Sequence, residues 1–180
     1  MSMFPIASVT VGSGGATSIT FSSIPQNFTH LELRVFSRST ASSNNASPTL
    51  QFNSDATSAN YISHLLYGDG SSAGSTNVSG SSGITFTSMQ PAGTAISGVF
   101  GSLVFSILDY ANTNKNKTVR LIGGWDNNGI GSPAGYAQLD SGLWMSTSAI
   151  TSIKIGTDTG FAQYSRVDLY GIQTSNATGA

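Results

Sequence analysis

The chemistry available to this chain is set by a short supply of reactive side chains: one Glu, at Glu32, and seven Asp. Glycoside hydrolysis needs two carboxylates on opposite sides of the scissile bond, one of them kept protonated by its surroundings. Here Asp55, Asp69, Asp126 and Asp158 stand beside Gly, Asn, Ser or Thr, and Asp109 leads into an Asn-rich segment. Asp in such settings bonds to turn backbone. Ser, His and Asp are all present, but no Gly-x-Ser-x-Gly lies on a strand-to-helix elbow, so a serine nucleophile has no frame. His64 lies between Ile62 and Leu66 and reads as a packed strand residue, while His30 falls on a polar face. Two isolated His with no third ligand do not make a zinc or iron site.

Other motifs fail on spacing. Asp126-Asn127-Asn128-Gly129 opens like a calcium loop but has no closing Glu. Gly12-Ser13-Gly14-Gly15 is followed by neither Lys nor a helix, so it is not a phosphate cradle. These observations assign no catalytic residue, no cofactor and no metal. Three aromatic residues lie close to turns: Trp125, Tyr136 and Trp144. They either cap the ends of a core or form an exposed platform on which a sugar ring stacks.

The elements that position these residues are strands. Leu31, Leu33 and Val35 alternate with His30, Glu32 and Arg34, the period of two of a strand with one buried face. In Gly101–Asp126, Leu103, Phe105 and Ile107 share one side while Val104, Ser106 and Leu108 share the other. Both sides are largely apolar, which predicts a strand covered twice, inside a sandwich or at a subunit contact. Thr118 to Ile122 turns Val119 and Leu121 inward and Arg120 outward, and the polar segment 109–117 joins the two runs as a long-loop hairpin.

Further strands are expected at Phe4–Val11, Ser18–Phe21, Thr49–Asn53, Tyr61–Tyr67, Ile84–Met89, Tyr136–Leu139, Leu143–Met145, Ile150–Ile155 and Ser165–Ile172. Pro5 places the first at a sheet edge. Gly68 to Gly83 carries almost no anchoring side chain and is expected to be a mobile surface loop. No stretch of ten residues has helical periodicity. The prediction is an all-β antiparallel sandwich, jelly-roll-like, of about ten short strands. It occupies residues 1–180 as a single domain, with 1–15 an N-terminal arm or edge strand.

Composition narrows the partners. The chain has 180 residues, 38% hydrophobic and 8% charged, with a net charge of −1. That apolar content with so little charge belongs to a folding chain. A neutral, hydroxyl-rich surface offers little repulsion between copies and suits a permanent assembly. Seven scattered basic residues are a poor match for nucleic-acid phosphates. Cysteine is absent, so disulfides and thiolate chemistry are excluded. The opening MSMFPIASVTV lacks a basic n-region, and no apolar run approaches a membrane span. We expect no membrane association and synthesis in the cytoplasm.

Several stretches together resemble the virion proteins of tailed bacteriophages. They are Phe21-Ser22-Ser23-Ile24-Pro25, Arg38-Ser39-Thr40, Tyr67-Gly68-Asp69-Gly70-Ser71-Ser72, the run from Ile107 to Lys115, Ser141-Gly142-Leu143-Trp144, Ala149 to Ile153, and Gly160-Phe161-Ala162-Gln163 leading to Leu169-Tyr170-Gly171-Ile172. Within that group the chain is most similar to the small β-sandwich proteins that decorate or cement capsids. The resemblance implies a structural role on the outer surface of the head, made in the host cytoplasm, with major capsid protein as partner and a homotrimer as the working form. The assembly contacts expected on this reading are Phe4, Ile6, Val104, Leu108 and Tyr110. The alternative is a receptor- or glycan-binding tail module built on Trp125, Tyr136 and Trp144.

Overall fold

Strand period and turn chemistry together build an almost pure β structure in the computed structural model, which describes residues 2–129 and 133–174. The strands are β1 (Ser2–Thr10), β2 (Ala16–Phe21), β3 (His30–Ser37), β4 (Asn45–Ala46), β5 (Thr49–Phe52), β6 (Tyr61–Gly68), β7 (Ala73–Ser79), β8 (Ile84–Thr85), β9 (Gln90–Pro91), β10 (Gly101–Ile107), β11 (Lys117–Asp126), β12 (Gly135–Trp144), β13 (Ile153–Phe161) and β14 (Arg166–Gln173). A 3-10 turn at Ser58–Asn60 is the sole helical element among the described residues. All pairings are antiparallel. One sheet has eight strands in the order β1-β14-β3-β10-β11-β12-β6-β7, a second has four in the order β2-β13-β5-β8, and β4 pairs with β9.

The two larger sheets pack face to face as a sandwich. Leu31, Leu33 and Val35 of β3, Leu103, Phe105 and Ile107 of β10, and Val119 and Leu121 of β11 supply one side of the core. Ile19 and Phe21 of β2, Leu50 and Phe52 of β5, and Ile153 and Ile155 of β13 supply the other. Gly142 of β12 lets Ile84 of the small sheet approach closely, since a Cβ there would lie 2.5 Å from Ile84 Cγ2. The expected hairpin is present, with Val104 paired to Ile122 and Ile107 to Val119. Pro5 does lie in an edge strand, β1, beside a register shift between Pro5 and Ala7.

Several expectations are corrected. The tract 68–83 is not a loop throughout: it contains β7, which pairs residue for residue with β6 from Ile62↔Ser79 to Gly68↔Ala73. Its side chains give no alternating signal because the strand is held by backbone bonds to β6. Asp69 closes the hairpin, its Oδ1 accepting from the N–H groups of Ser71 and Ser72. The two strands expected at Tyr136–Leu139 and Leu143–Met145 are one, β12, running straight through Asp140-Ser141-Gly142. β13 starts at Ile153; Ile150 is buried ahead of it, its N–H bonded to the Tyr110 carbonyl. β8 stops after two residues, and Ser88 beyond it takes a left-handed backbone, φ 60°.

Register also corrects His64. Tyr61, Ser63 and Leu65 point into the sandwich, so Ile62, His64 and Leu66 point out and His64 is exposed. Nor is β10 covered on both sides within the chain. Leu103, Phe105 and Ile107 are buried, but Val104 and Ser106 lie on an outer face that no layer of the described residues covers.

Candidate functional site

Two surfaces stand out, one on each side of the large sheet. The first is an open cleft of about 800 Å³ lined by Gly68 to Ser71, Gly124 to Asp126, Gly129 and Pro133 to Ala137. It forms where the inner face of β6, β12 and β11 runs on past the small sheet. Trp125 is paired directly with Tyr136 across β11 and β12. Their ring centroids are 6.4 Å apart, and Tyr67 meets Tyr136 edge-on at 5.8 Å. The Tyr67 ring lies over Gly74, where a Cβ would come within 2.7 Å of it.

Tyr136 and Tyr67 are both half-buried, and of the two Tyr136 lines the cleft. Trp125 is only 6% exposed, and its Nε1 donates to the Ser88 carbonyl at 2.8 Å. It braces the cleft from below. Trp144 is elsewhere: it is buried in the core against Phe52 and Tyr61. The expected three-residue platform is therefore corrected to Tyr136 backed by Trp125, with Tyr67 as the residue that the sequence reading missed. Its signal was present, because Tyr67 continues the inward set Tyr61, Ser63, Leu65.

The cleft holds two carboxylates. Asp69 Oδ1 accepts from Ser71 N, Ser71 Oγ and Ser72 N at 2.9, 2.9 and 2.7 Å. These bonds, the Ser71 N–H first, hold its carboxyl below the ordinary carboxylate range. A carboxylate so stabilised is a hydrogen-bond acceptor and a poor general acid. Asp126 Oδ1 accepts from Asn128 N at 2.6 Å. Asn128 and Gly129 both have positive φ, 53° and 73°, the tight turn that Asn-Gly favours. Stacking on an aromatic ring and accepting from hydroxyl groups is the chemistry this cleft offers. Among the described residues no group of three or more His, Cys, Asp or Glu is placed to hold a metal.

The second surface is the outer face of the eight-stranded sheet. Leu66 pairs with Leu139, Leu139 with Ile122 and Ile122 with Val104, so four apolar side chains form a row across β6, β12, β11 and β10. Leu66 is 60% exposed, Leu139 51% and Ile122 64%. The next row, His64, Ser141, Arg120 and Ser106, is polar. Further along, Arg34 pairs with Glu32 and Arg166 with Asp168, both at 2.9 Å. The rim of the face carries Phe36, 51% exposed and stacked on Phe100 at 5.0 Å.

The expected assembly residues are not brought together. Val104 belongs to the outer row. Phe4 lies three strands away on β1, 46% exposed and tilted against Phe28, with Ile6 half-buried against the core. Leu108 is half-buried just past β10. Tyr110 is corrected: it is fully buried, its hydroxyl donating to the Pro25 carbonyl, and burial raises its pKa. It is a core residue and cannot touch a neighbour.

No protein-family model matches the chain, and no curated protein sequence does. Among solved structures it is similar to arcelin-5, a lectin-like defence protein from Phaseolus vulgaris, at 6% identity over 93% of this chain and 86% of that one, TM-score 0.22. It is also similar to a fructofuranosidase variant from Schwanniomyces occidentalis complexed with fructosylnystose, at 12% identity over 96% of this chain and 33% of that one, TM-score 0.23. A third is a protein of unknown function from Shewanella oneidensis, at 10% identity over 99% and 77%, TM-score 0.24. Likenesses at this level carry no argument about function. No helix among the described residues is long and apolar enough to cross a membrane.

Proposed function

We propose that this protein is a structural virion component of a tailed phage that decorates and stabilises the capsid by bridging neighbouring major capsid protein subunits. The reading rests on the resemblance quoted above, and one structural observation carries it further: the apolar row Leu66, Leu139, Ile122 and Val104, left uncovered by the described residues on a face where Arg34 and Arg166 are each paired with an acid. Fully burying one Leu or Ile side chain stabilises a contact by about 1.5–3 kcal/mol. Three side chains already about half covered then yield roughly 3–4 kcal/mol per copy, too little for firm attachment by one molecule. Several copies acting together reach firm binding, which is the reason to expect a homotrimer on the outer surface of the head. No catalytic role and no cofactor belong to this reading.

The test is attachment to purified shells that lack the protein, followed by electron microscopy. The wild-type chain should add density to the outside of the head. Ile122→Asp with Leu139→Asp should abolish attachment while thermal denaturation shows an intact fold. Density on the tail alone, or undiminished attachment of the double variant, would overturn the proposal.

A second reading has its own observation, the cleft lined by Tyr136, Asp69 and Asp126, with Tyr67 packed edge-on against Tyr136. On that reading the protein is a receptor- or glycan-binding tail module. Tyr136→Ala should then remove saccharide binding, measured on a glycan array, with stability kept. No glycan bound by the wild type would end it.

A further inference from the structure

The two rims of the eight-stranded sheet are finished differently. A strand at a sheet edge presents unpaired N–H and C=O groups, and proteins blunt such edges with Pro, charge or bulges. The β1 rim has Pro5 and a register shift beside it. The β7 rim has neither: Ala73-Gly74-Ser75-Thr76-Asn77-Val78-Ser79 contains no charged residue and no Pro, and pairs with β6 without a break.

The ladder's phase shows which groups face outward. The Asp69 N–H bonds the Ser72 carbonyl at 3.1 Å, making that pair a hydrogen-bonded one. In an antiparallel ladder such pairs alternate with non-bonded ones. Tyr67–Gly74, Leu65–Thr76 and Ser63–Val78 therefore bond, and Ala73, Ser75, Asn77 and Ser79 turn their N–H and C=O away from β6. β7 ends the sheet, so no described strand meets these groups.

We propose that β7 is a strand-addition edge through which two copies of this chain join, β7 against β7, antiparallel about a two-fold axis. The strand's own sequence favours a second copy over other occupants. With Thr76 on the axis, Ser75 of one copy faces Asn77 of the other, a hydroxyl against an amide. Gly74 of one copy faces Val78 of the other, a missing side chain against a branched one. Nothing charged meets itself at the axis, and the register offers on the order of eight backbone hydrogen bonds. The contact uses the rim of the sheet and not its outer face, so it stands apart from the virion proposal. It pairs copies whether or not they sit on a capsid.

Sedimentation equilibrium of the full chain tests this. The wild type should show a concentration-dependent dimer. Ser75→Pro deletes an outward N–H and no bond to β6, so it should abolish this two-fold pairing with unchanged circular dichroism. Thr76→Lys, at an exposed position, sets like charges together on the axis and should weaken the dimer about tenfold, with recovery in high salt. If Ser75→Pro fails to fold, Thr76→Lys decides alone. A wild type that stays monomeric to submillimolar concentration overturns the proposal, as does any oligomer that Thr76→Lys leaves unchanged.

Discussion

The indole Nε1 of Trp144 donates a 2.7 Å hydrogen bond to Oδ2 of Asp55, a residue 89 positions away in the chain. The same oxygen accepts from Asn60 Nδ2 at 2.8 Å, and Oδ1 from Thr57 N at 2.9 Å. Together these, the indole foremost, hold the Asp55 carboxyl well below the ordinary carboxylate range. A depressed pKa contributes stability that is present above the unfolded value near 4 and lost as pH falls below it. Asp55→Asn should therefore flatten the acid limb of the stability curve below about pH 4, read by urea denaturation. Trp144→Phe should cost about 1.5–3 kcal/mol at neutral pH through loss of the bond to a charged acceptor.

Asp140 works in the opposite sense. It is 1% exposed, its Oδ2 accepts from Gln138 Nε2 at 2.9 Å, and its Oδ1 has no hydrogen-bond partner among the described residues. Burial pushes its pKa up to about 7, with the Gln138 bond pulling weakly against it. An acid with a raised folded pKa favours the native state at low pH. The advantage is complete below the unfolded value near 4 and gone once pH has risen through about 7. Asp140→Asn should remove that slope and stabilise the protein at pH 8 by an amount on the order of 4 kcal/mol. Melting temperatures across pH 4 to 8, wild type against variant, check both statements.

Arg38 binds four carbonyls of one loop. Its guanidinium donates to the carbonyls of Ile96 and Ala95 at 2.7 Å each, of Val99 at 3.1 Å and of Gly93 at 3.4 Å. Burial lowers its pKa. A Lys cannot reproduce the planar fork. Arg38→Lys should cost roughly 2–3 kcal/mol and raise hydrogen exchange in 93–99 selectively.

Lys117 is likewise buried, 1% exposed, with Nζ donating to the carbonyls of Asn112, Lys115 and Thr147 at 2.8, 2.7 and 3.1 Å. Lys117→Met keeps the stem and strands three acceptors. The expected loss is about 2–4 kcal/mol by chemical denaturation, with the 109–116 turn the first segment to open in hydrogen exchange.

How far the fold was legible follows from these residues. β3 and the β10–β11 hairpin could be read because one buried face fixes a period of two, and Leu33 and Leu121 obey it. β7 could not, since no side chain of Gly74 to Ser79 is needed to hold it. β12 reads as two strands because Asp140-Ser141-Gly142 interrupts its apolar residues; only the register shows Asp140 pointing inward. The site was legible in part. Tyr136 and Trp125 were singled out, but Trp144 is indistinguishable from them until Asp55 is seen to meet its indole. Arg38 and Lys117 act on backbone carbonyls, which leave no mark in a sequence.

The pairing of Ser2–Gln173 through Thr10–Arg166 joins strands far apart in the chain. β14 also lies between β1 and β3, so β3 exposes one side of its backbone until residues near 170 have left the ribosome. Loops of that span close late and slowly. The nascent chain must wait, half assembled, with its aliphatic interior open to any other chain nearby. High expression at elevated temperature should therefore trap this protein in inclusion bodies more readily than its equilibrium stability would suggest.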